Sequence, residues 1–517
     1  MKVKKNWVRV IFRRRVFVMA ALLVQIIFIL ILAGGSSLFF RYASRILRLL
    51  SLVVSLYIFN KDEKSAYKLT WIFLILMFPL FGGVLYVTLH SQFNSGRMKR
   101  LIENIRRAWR KFYALPGNVL PALREELPEY FLQARYLQDY VGFPVYEHTQ
   151  TEYFPSGEAF FKQVVEELKK AERYVFLEFF ILREGLMFNT ILDILEKKAA
   201  AGLDVRIIYD DLGCFMSLPR NFRQILEARG IRSMVFNPFT PILSSLQNNR
   251  DHRKIITIDG KTAFTGGINL ADEYINAYER FGHWKDCGIM LKGEAAWGLT
   301  LIFLEMWNLE QTGPQAAKDD CMRFYPWKDE KCGIPSEGYA QPYADSPMDD
   351  ENVGEQVYLQ IINNAREYVY INTPYLVVDE NLLSALSLAA KSGVDVRIIT
   401  PHRWDKKIVQ ITSQSYYRRL LNAGVKVYEY SKGFNHCKTF VCDDKIATVG
   451  TMNLDFRSLY LHFECGVALF NTPTVHAIKE DFLATIPISR QICLQDCARN
   501  TLARIVQDIL RLFAPLM

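Results

Sequence analysis

A pattern of six positions, five of them identical, occurs in the same order at two places in the chain. His252, Lys254, Asp259, Gly266, Gly267 and Asn269 in DHRKIITIDGKTAFTGGIN are matched by His436, Lys438, Asp443, Gly450, Thr451 and Asn453 in NHCKTFVCDDKIATVGTMN. His to Asn spans 17 positions each time. A single His-x-Lys triplet arises often by accident; the whole pattern, twice, does not. An imidazole titrating near neutrality can attack an electrophile or donate a proton. An ammonium and a carboxamide suit the non-bridging oxygens of a phosphate. One copy is half of a displacement site at phosphorus. Two copies facing each other give an attacking imidazole on one side and a proton donor on the other. Lys254, Lys438, Asn269 and Asn453 would then stabilise the crowded phosphorus between them. The lysines supply the positive charge, so this chemistry requires no metal or other cofactor. No HExxH, EF-hand or Walker A pattern occurs in the sequence.

These side chains need elements to hold them. Alternating residues around Asp259-Gly260 and around Asp443-Asp444 predict two hairpins, each a strand, a tight turn and a returning strand. Strand side chains alternate faces, so each His and its Lys point the same way. Asp259 and Asp443 have the opposite parity and should face away, serving the turn. Asn269 and Asn453 lie just past the returning strands, in reach of their own His and Lys. The repeat extends beyond the hairpins. KKAERYVFLEFFIL, AAAGLDVRIIYD and LEARGIRSMVF precede the first, and NNAREYVYINTPYL, AAKSGVDVRIIT and LLNAGVKVYEY precede the second. Four matching blocks in one order indicate duplication. Each block joins a helix end to a β-branched, aromatic strand, which predicts α/β halves with mixed sheets flanked by helices. Asp210-Asp211 occurs in one copy only and reads as a strand end, not a metal pair. The nine cysteines follow no metal spacing and suit a reducing compartment. Cys437 and Cys442 read as small buried fillers.

Charge is unevenly distributed. Residues 1–111 carry 20 Lys and Arg against 3 Asp and Glu, a net +17, leaving −8 for the rest of a chain that totals +9. The same segment holds uncharged runs from Val16 to Phe40 and from Leu69 to Leu89. A bilayer core of about 30 Å takes roughly 20 helical residues, so both runs are long enough to span. The reading is an N-terminal α-helical membrane hairpin in residues 1–95, with spans at about 16–38 and 69–89. The shorter apolar run LSLVVSLYIFN would lie at the interface. Basic flanks at MKVKKNWVRVIFRRR and RMKRLIENIRRAWRK place both ends, and the catalytic body, on the cytoplasmic side of a cell membrane. Residues 96–144 read as a basic surface linker, 145–330 and 331–490 as the two halves, and 491–517 as an amphipathic C-terminal helix.

The motifs HRKIITID…TGGIN and HCKTFVCD…VGTMN resemble the paired His-Lys-Asp motifs of the phospholipase D superfamily. The stretches AYKLTWIFLILMFPLFGG, QPYADSPMDDE, INTPYLVVDENLLSAL and LFAPLM resemble bacterial cardiolipin synthases within it. The resemblance implies two pseudo-symmetric halves and a phosphohistidine intermediate. It places His252, Lys254, Asp259, His436, Lys438 and Asp443 in the catalytic motifs. It also implies an acid downstream of each motif that orients the histidine. Asp286 in HWKD and Glu464 in HFECG stand at suitable positions, 34 and 28 residues after their histidines. The implied reaction transfers a phosphatidyl group from one phosphatidylglycerol to another, giving cardiolipin and glycerol. Phosphatidylglycerol and anionic membrane lipids are the expected partners. The residues do not say which histidine attacks; the resemblance leans toward the first, His252. The alternatives are a phospholipase D-type hydrolase releasing phosphatidic acid, a nuclease and an inactive membrane scaffold. The acidic body and apolar runs disfavour nucleic acid, and the two intact His-Lys pairs disfavour a scaffold.

Overall fold

The computed structural model describes residues 38–90, 95–115, 117–239, 245–309, 321–328 and 331–517. They divide into two compact units: one of residues up to Gly96 with 239–249 and 508–517, the other of 97–238 and 250–507.

The first unit is helical. One helix, Leu38–Phe59, runs through the short apolar stretch expected at an interface. The expected span at 69–89 is not one helix but two, Ser65–Met77 and Pro79–His90, broken at Phe78. Proline has no N–H to donate and its ring crowds the carbonyl four residues back, so the helix cannot run through position 79. The second helix packs tightly on the end of the first, because a Cβ on Gly82 would fall 2.7 Å from the Leu74 carbonyl oxygen. Ile58, Trp71, Ile75 and Tyr86 form a small core. No helix among the described residues is long and apolar enough to cross a membrane. The other expected span, 16–38, lies outside the described residues except for Leu38. Outward-facing Leu49, Leu50, Val53, Leu56, Leu69, Leu76 and Val87 remain exposed.

The second unit holds both halves of the repeat. The first half is a seven-stranded mixed sheet built from β1 (Thr149–Phe154), β2 (Tyr174–Phe179), β3 (Asp204–Asp210), β4 (Arg232–Phe236), β5 (Lys254–Ile258), β6 (Thr262–Gly266) and β7 (Gly288–Gly293). Its spatial order is β1-β7-β6-β5-β2-β3-β4. The second half uses β8 (Tyr339–Asp345), β9 (Tyr368–Asn372), β10 (Asp395–Pro401), β11 (Lys426–Tyr430), β12 (Thr439–Cys442), β13 (Ile446–Gly450), β14 (His462–Phe470) and β15 (Ser489–Gln491). Its order is β8-β14-β13-β12-β9-β10-β11-β15, the same topology with one added edge strand. Helices such as Leu186–Ala200 and Glu294–Asn308 in the first half, and Glu380–Lys391 and Pro473–Thr485 in the second, cover the sheets.

The expected hairpins are β5-β6 and β12-β13. Asp259, Gly260, Asp443 and Asp444 all take positive φ, which Asp and Gly tolerate in tight turns. The region read as a surface linker is instead helical and packed. Helix Ser95–Tyr113 buries Ile102, Ile105, Trp109 and Tyr113. The Tyr113 hydroxyl donates to Glu305 at 3.1 Å, and the Trp297 indole donates to the Phe112 carbonyl at 2.9 Å. Its apolar face outweighed its basic composition. The C-terminal helix is Thr501–Phe513, with Leu502, Ile505, Val506 and Ile509 exposed.

Candidate active site

Two short parallel ladders tie the halves together at the histidines. Arg250–Asp251, just before His252, pairs with His462–Phe463 at the start of β14. Gly433–Asn435, just before His436, pairs with His283–Lys285. The next backbone N–H continues each ladder: His252 donates to the Phe463 carbonyl at 2.9 Å and His436 to the Lys285 carbonyl at 2.7 Å. Each histidine is thereby set beside the acid of the opposite half.

The pairing is therefore crossed. His252 Nδ1 lies 2.9 and 3.0 Å from the two carboxylate oxygens of Glu464, and His436 Nδ1 lies 2.6 Å from Asp286 Oδ2. Asp286 and Glu464 contact histidines as expected, but each serves the other copy's. Neither half completes a His-acid pair alone. A carboxylate only accepts, so the proton sits on Nδ1 and Nε2 is left with its lone pair.

The acids are seated differently. A Cβ on Gly267 would fall 2.0 Å from Asp286 Oδ1, so the missing side chain makes room for that carboxylate. The Cys287 N–H donates to the same oxygen at 2.9 Å. At the matching position in the second half, the Thr451 hydroxyl donates to Glu464. The Gly267/Thr451 difference in the sequence is thus an adjustment to two different acids.

Lys254 and Lys438 are buried, and each donates from Nζ to the backbone carbonyl of its own histidine at 2.5 Å. Burial lowers both ammonium groups, Lys254 to about 8. Burial also lowers His252, with Lys254 next and charge from Lys438 and His436 adding to it. His436 falls to about 4, by burial and then by Lys438. Burial pushes Glu464 up. These shifts leave the resting imidazoles neutral. These groups sense one another across the halves, so the two motifs form one site.

Asp259 and Asp443 stand outside this cluster. Asp259 accepts the backbone N–H groups of Glu172, Arg173 and Tyr174 at 2.8 Å each, at the start of β2. Asp443 does the same for Arg366, Glu367 and Tyr368, at 2.8, 3.0 and 2.9 Å. They lock turn to sheet, as their parity indicated. Their place in the catalytic motif is architectural and carries no contact with a histidine.

The two asparagines differ. Asn269 accepts from the Ile181 N–H at 3.0 Å and donates to the Tyr274 hydroxyl at 2.7 Å, so its amide is held by its own half. Asn453 Oδ1 is buried with no hydrogen-bond partner. Asp210 accepts from Arg250 Nε, Asp251 N and Gly213 N at 3.0 Å each, steadying the strand before His252. Two groups of described residues, His252-His462-Glu464 and Asp286-Cys287-Cys437, bring ligand-type atoms within 4.8 Å of one another. Each contains an acid already bonded to a histidine, and charge from Lys254 or Lys438 acts on that acid. That is an unfavourable setting for a cation. The sequence reading missed His462 and Trp284, neither of which belongs to the repeated spacing, and gave Thr451, which does belong to it, no contact with the acid.

Residues 164–281 and 358–486 match the family described as cardiolipin synthase, PLD-like domain, and residues 49–89 match that described as phospholipase D-nuclease N-terminal. A cardiolipin synthase of Geobacillus sp. (strain WCH70) is 35% identical over 465 residues, covering 88% of this chain and 90% of the relative. The chain belongs to the cardiolipin synthase family. A cardiolipin synthase of Halalkalibacterium halodurans is 32% identical, covering 90% of this chain and 92% of its own. An uncharacterized protein of Streptococcus mutans is 42% identical over 89% of the chain and 99% of its own length. A phosphatidylserine synthase of Haemophilus influenzae superposes with a TM-score of 0.54 at 16% identity, covering 74% of this chain and 97% of that one. That likeness is one of fold and covers most of the chain.

Proposed function

We propose that the protein is a phosphatidyltransferase that makes cardiolipin and glycerol from two molecules of phosphatidylglycerol. The observation that carries this reading is the crossed pair of histidines, each held by the opposite half's acid, with a buried lysine on the backbone carbonyl of each. One neutral imidazole attacks phosphorus through Nε2, and the P–O bond to the departing glycerol breaks. The other imidazole gives that oxygen its proton. The terminal hydroxyl of a second phosphatidylglycerol then yields its proton to the same imidazole and attacks the phosphohistidine, and the P–N bond breaks. An anionic phosphodiester between Lys254 and Lys438 offsets the positive charge that keeps both imidazoles neutral, which lets one take up the proton it must donate. The ammonium groups stabilise the phosphorane from a site already dry, where charge acts strongly.

We place the protein in the cell membrane with its catalytic body on the cytoplasmic side. Large exposed apolar side chains on the N-terminal helices support membrane contact, as do the uncharged runs and their basic flanks. The basic segment would attract anionic lipid by about 1 kcal/mol per cation. Purified protein in mixed micelles with doubly labelled phosphatidylglycerol should release glycerol and cardiolipin in equal amounts. Phosphatidic acid as the sole lipid product would make it a hydrolase instead. A C-terminal tag should be inaccessible from outside intact cells; accessibility there would reverse the orientation.

A further inference from the structure

The loops that follow β3 and β10 are counterparts in the duplication, and both hold large apolar side chains out to solvent. Met216 is 89% exposed in the first; Trp404 and Ile408 are 47% and 56% exposed in and just after the second. Single exposed apolar residues need no explanation, but the same place in both copies does. Both loops leave their sheets at the histidine edge. Phe179, the last residue of β2, pairs with Tyr209 near the end of β3 and with Lys254, two residues past His252. Asn372, the last residue of β9, pairs in the same way with Ile399 of β10 and with Thr439, three residues past His436. Side chains bind each loop to that edge. The Ser217 hydroxyl donates to the Leu182 carbonyl at 2.7 Å, and a Cβ on Gly213 would fall 2.0 Å from the carbonyl oxygen of Phe180, whose ring is centred 5.1 Å from His252. In the second half the Arg403 N–H donates at 3.2 Å to the carbonyl of Gly433, in the ladder that leads to His436, and Asp405 accepts from the Tyr375 hydroxyl at 2.6 Å. Tyr278, 59% exposed, stands next to Glu279, which pairs with Arg403 at 3.8 Å.

The charge of these loops is opposite to that of the body. Residues 112–517 total −8, yet 402–408 carry Arg403, Lys406 and Lys407 against Asp405 alone, and 212–223 carry Arg220 and Arg223 with no acid. Apolar tips flanked by cations suit a bilayer interface: the apolar groups pass below the headgroups, the cations meet anionic phosphates, and Trp and Tyr rings sit at headgroup level. We propose that the loops after β3 and β10 dock on an anionic lipid bilayer, one from each half, so that the edge bearing His252 and His436 faces the membrane. The proposal rests on the reading of a phospholipid substrate and adds how that substrate arrives. A phosphodiester at the headgroup level can then enter between the halves while its acyl chains stay in the bilayer. The hydrophobic cost of drawing those chains into water is avoided, and the duplication supplies one anchor on each side of the site.

Two measurements on the full chain, reconstituted in vesicles of phosphatidylglycerol and phosphatidylcholine, decide it. The first reads the Trp404 share of the fluorescence, taken as wild type minus Trp404→Phe. Lipids brominated near the carbonyl end of their acyl chains should quench that share, and its emission should lie to the blue of a water-exposed indole. An unquenched, water-like Trp404 overturns the proposal and leaves the loops to a protein partner. The second uses the double variant Met216→Ser with Ile408→Ser. Its turnover of phosphatidylglycerol in vesicles should fall about tenfold, a modest share of what burying two apolar side chains is worth. Its turnover of a short-chain phosphatidylglycerol dissolved as monomers should match wild type. Equal losses on both substrates, or no loss on vesicles, overturns the proposal. Neither readout depends on which lipid is formed. Phosphatidic acid as the sole product would refute the synthase reading, while quenching and the consumption of phosphatidylglycerol would still decide whether the loops dock.

Discussion

Replacing Glu464 by Gln should disable His252, although the two residues lie 212 positions apart on different copies of the repeat. Both Glu464 oxygens lie within 3.0 Å of His252 Nδ1, and the Thr451 hydroxyl donates to the same carboxylate. Glutamine has the same length and can still accept from Thr451 through its carbonyl. That choice turns its NH2 toward His252, where Nδ1 must then accept. The proton moves to Nε2, the lone pair leaves the phosphorus side, and the imidazolium loses its counter-charge. The equivalent amide substitution in a Ser-His-Asp triad costs about 10⁴ in kcat. Either catalytic role of His252 needs the carboxylate, so a loss of about 10³–10⁴ is expected here, or ~4–5.5 kcal/mol of transition-state stabilisation. The fold should survive, because packing and the Thr451 contact are kept. The assay is cardiolipin formation from labelled phosphatidylglycerol, beside low-field proton NMR of the hydrogen-bonded Nδ1–H groups. Glu464→Gln and His252→Asn should remove the same resonance and leave that of His436. Activity within tenfold of wild type, or loss of the His436 resonance instead, would refute the crossed pairing.

Other perturbations follow from the same geometry. Gly267→Ala should cost at least a hundredfold in activity, because its Cβ would sit 2.0 Å from Asp286 Oδ1 and displace the acid that orients His436; wild-type turnover in this variant would contradict that placement. Asp259→Ala should lower stability by about 2–3 kcal/mol by removing an acceptor of three backbone N–H groups, with little change in kcat of the folded fraction, as read by urea unfolding beside turnover. Lys254 titrates at about 8 in the folded protein, so turnover should fall as pH rises through 8 and the ammonium is lost; a flat profile to pH 10 would count against its charge in the reaction. His436, at about 4 when folded against an ordinary 6.5, binds its proton more readily unfolded. Stability from this group is therefore whole above pH 6.5 and is lost as pH falls toward 4, by about 3 kcal/mol. Denaturation of His436→Asn should show a shallower acid slope.

The sequence carried the duplication, both hairpins and the sheet architecture because these are local: alternating strands, turn-forming Asp and Gly, and repeated blocks. It also carried the parity that turns Asp259 and Asp443 away from the histidines. The crossing of the acids was not legible. Asp286 and Glu464 stand at nearly the same distance after their own motifs, and only the ladders at Arg250–Asp251 and Gly433–Asn435 decide which histidine each meets. Two signals were present and under-read. Pro79 marked the break in the run at 69–89, and Ile102, Ile105 and Trp109 gave residues 95–113 an apolar helical face despite their basic charge.

The central claim is that two imidazoles act in turn on one phosphorus atom, by way of a covalent phosphohistidine. Two in-line displacements restore the starting configuration, whereas a single direct transfer inverts it. Transfer from a phosphatidylglycerol analogue bearing a single-configuration phosphorothioate should therefore give product with the configuration at phosphorus retained. Inversion would contradict the covalent intermediate and with it the division of labour between His252 and His436.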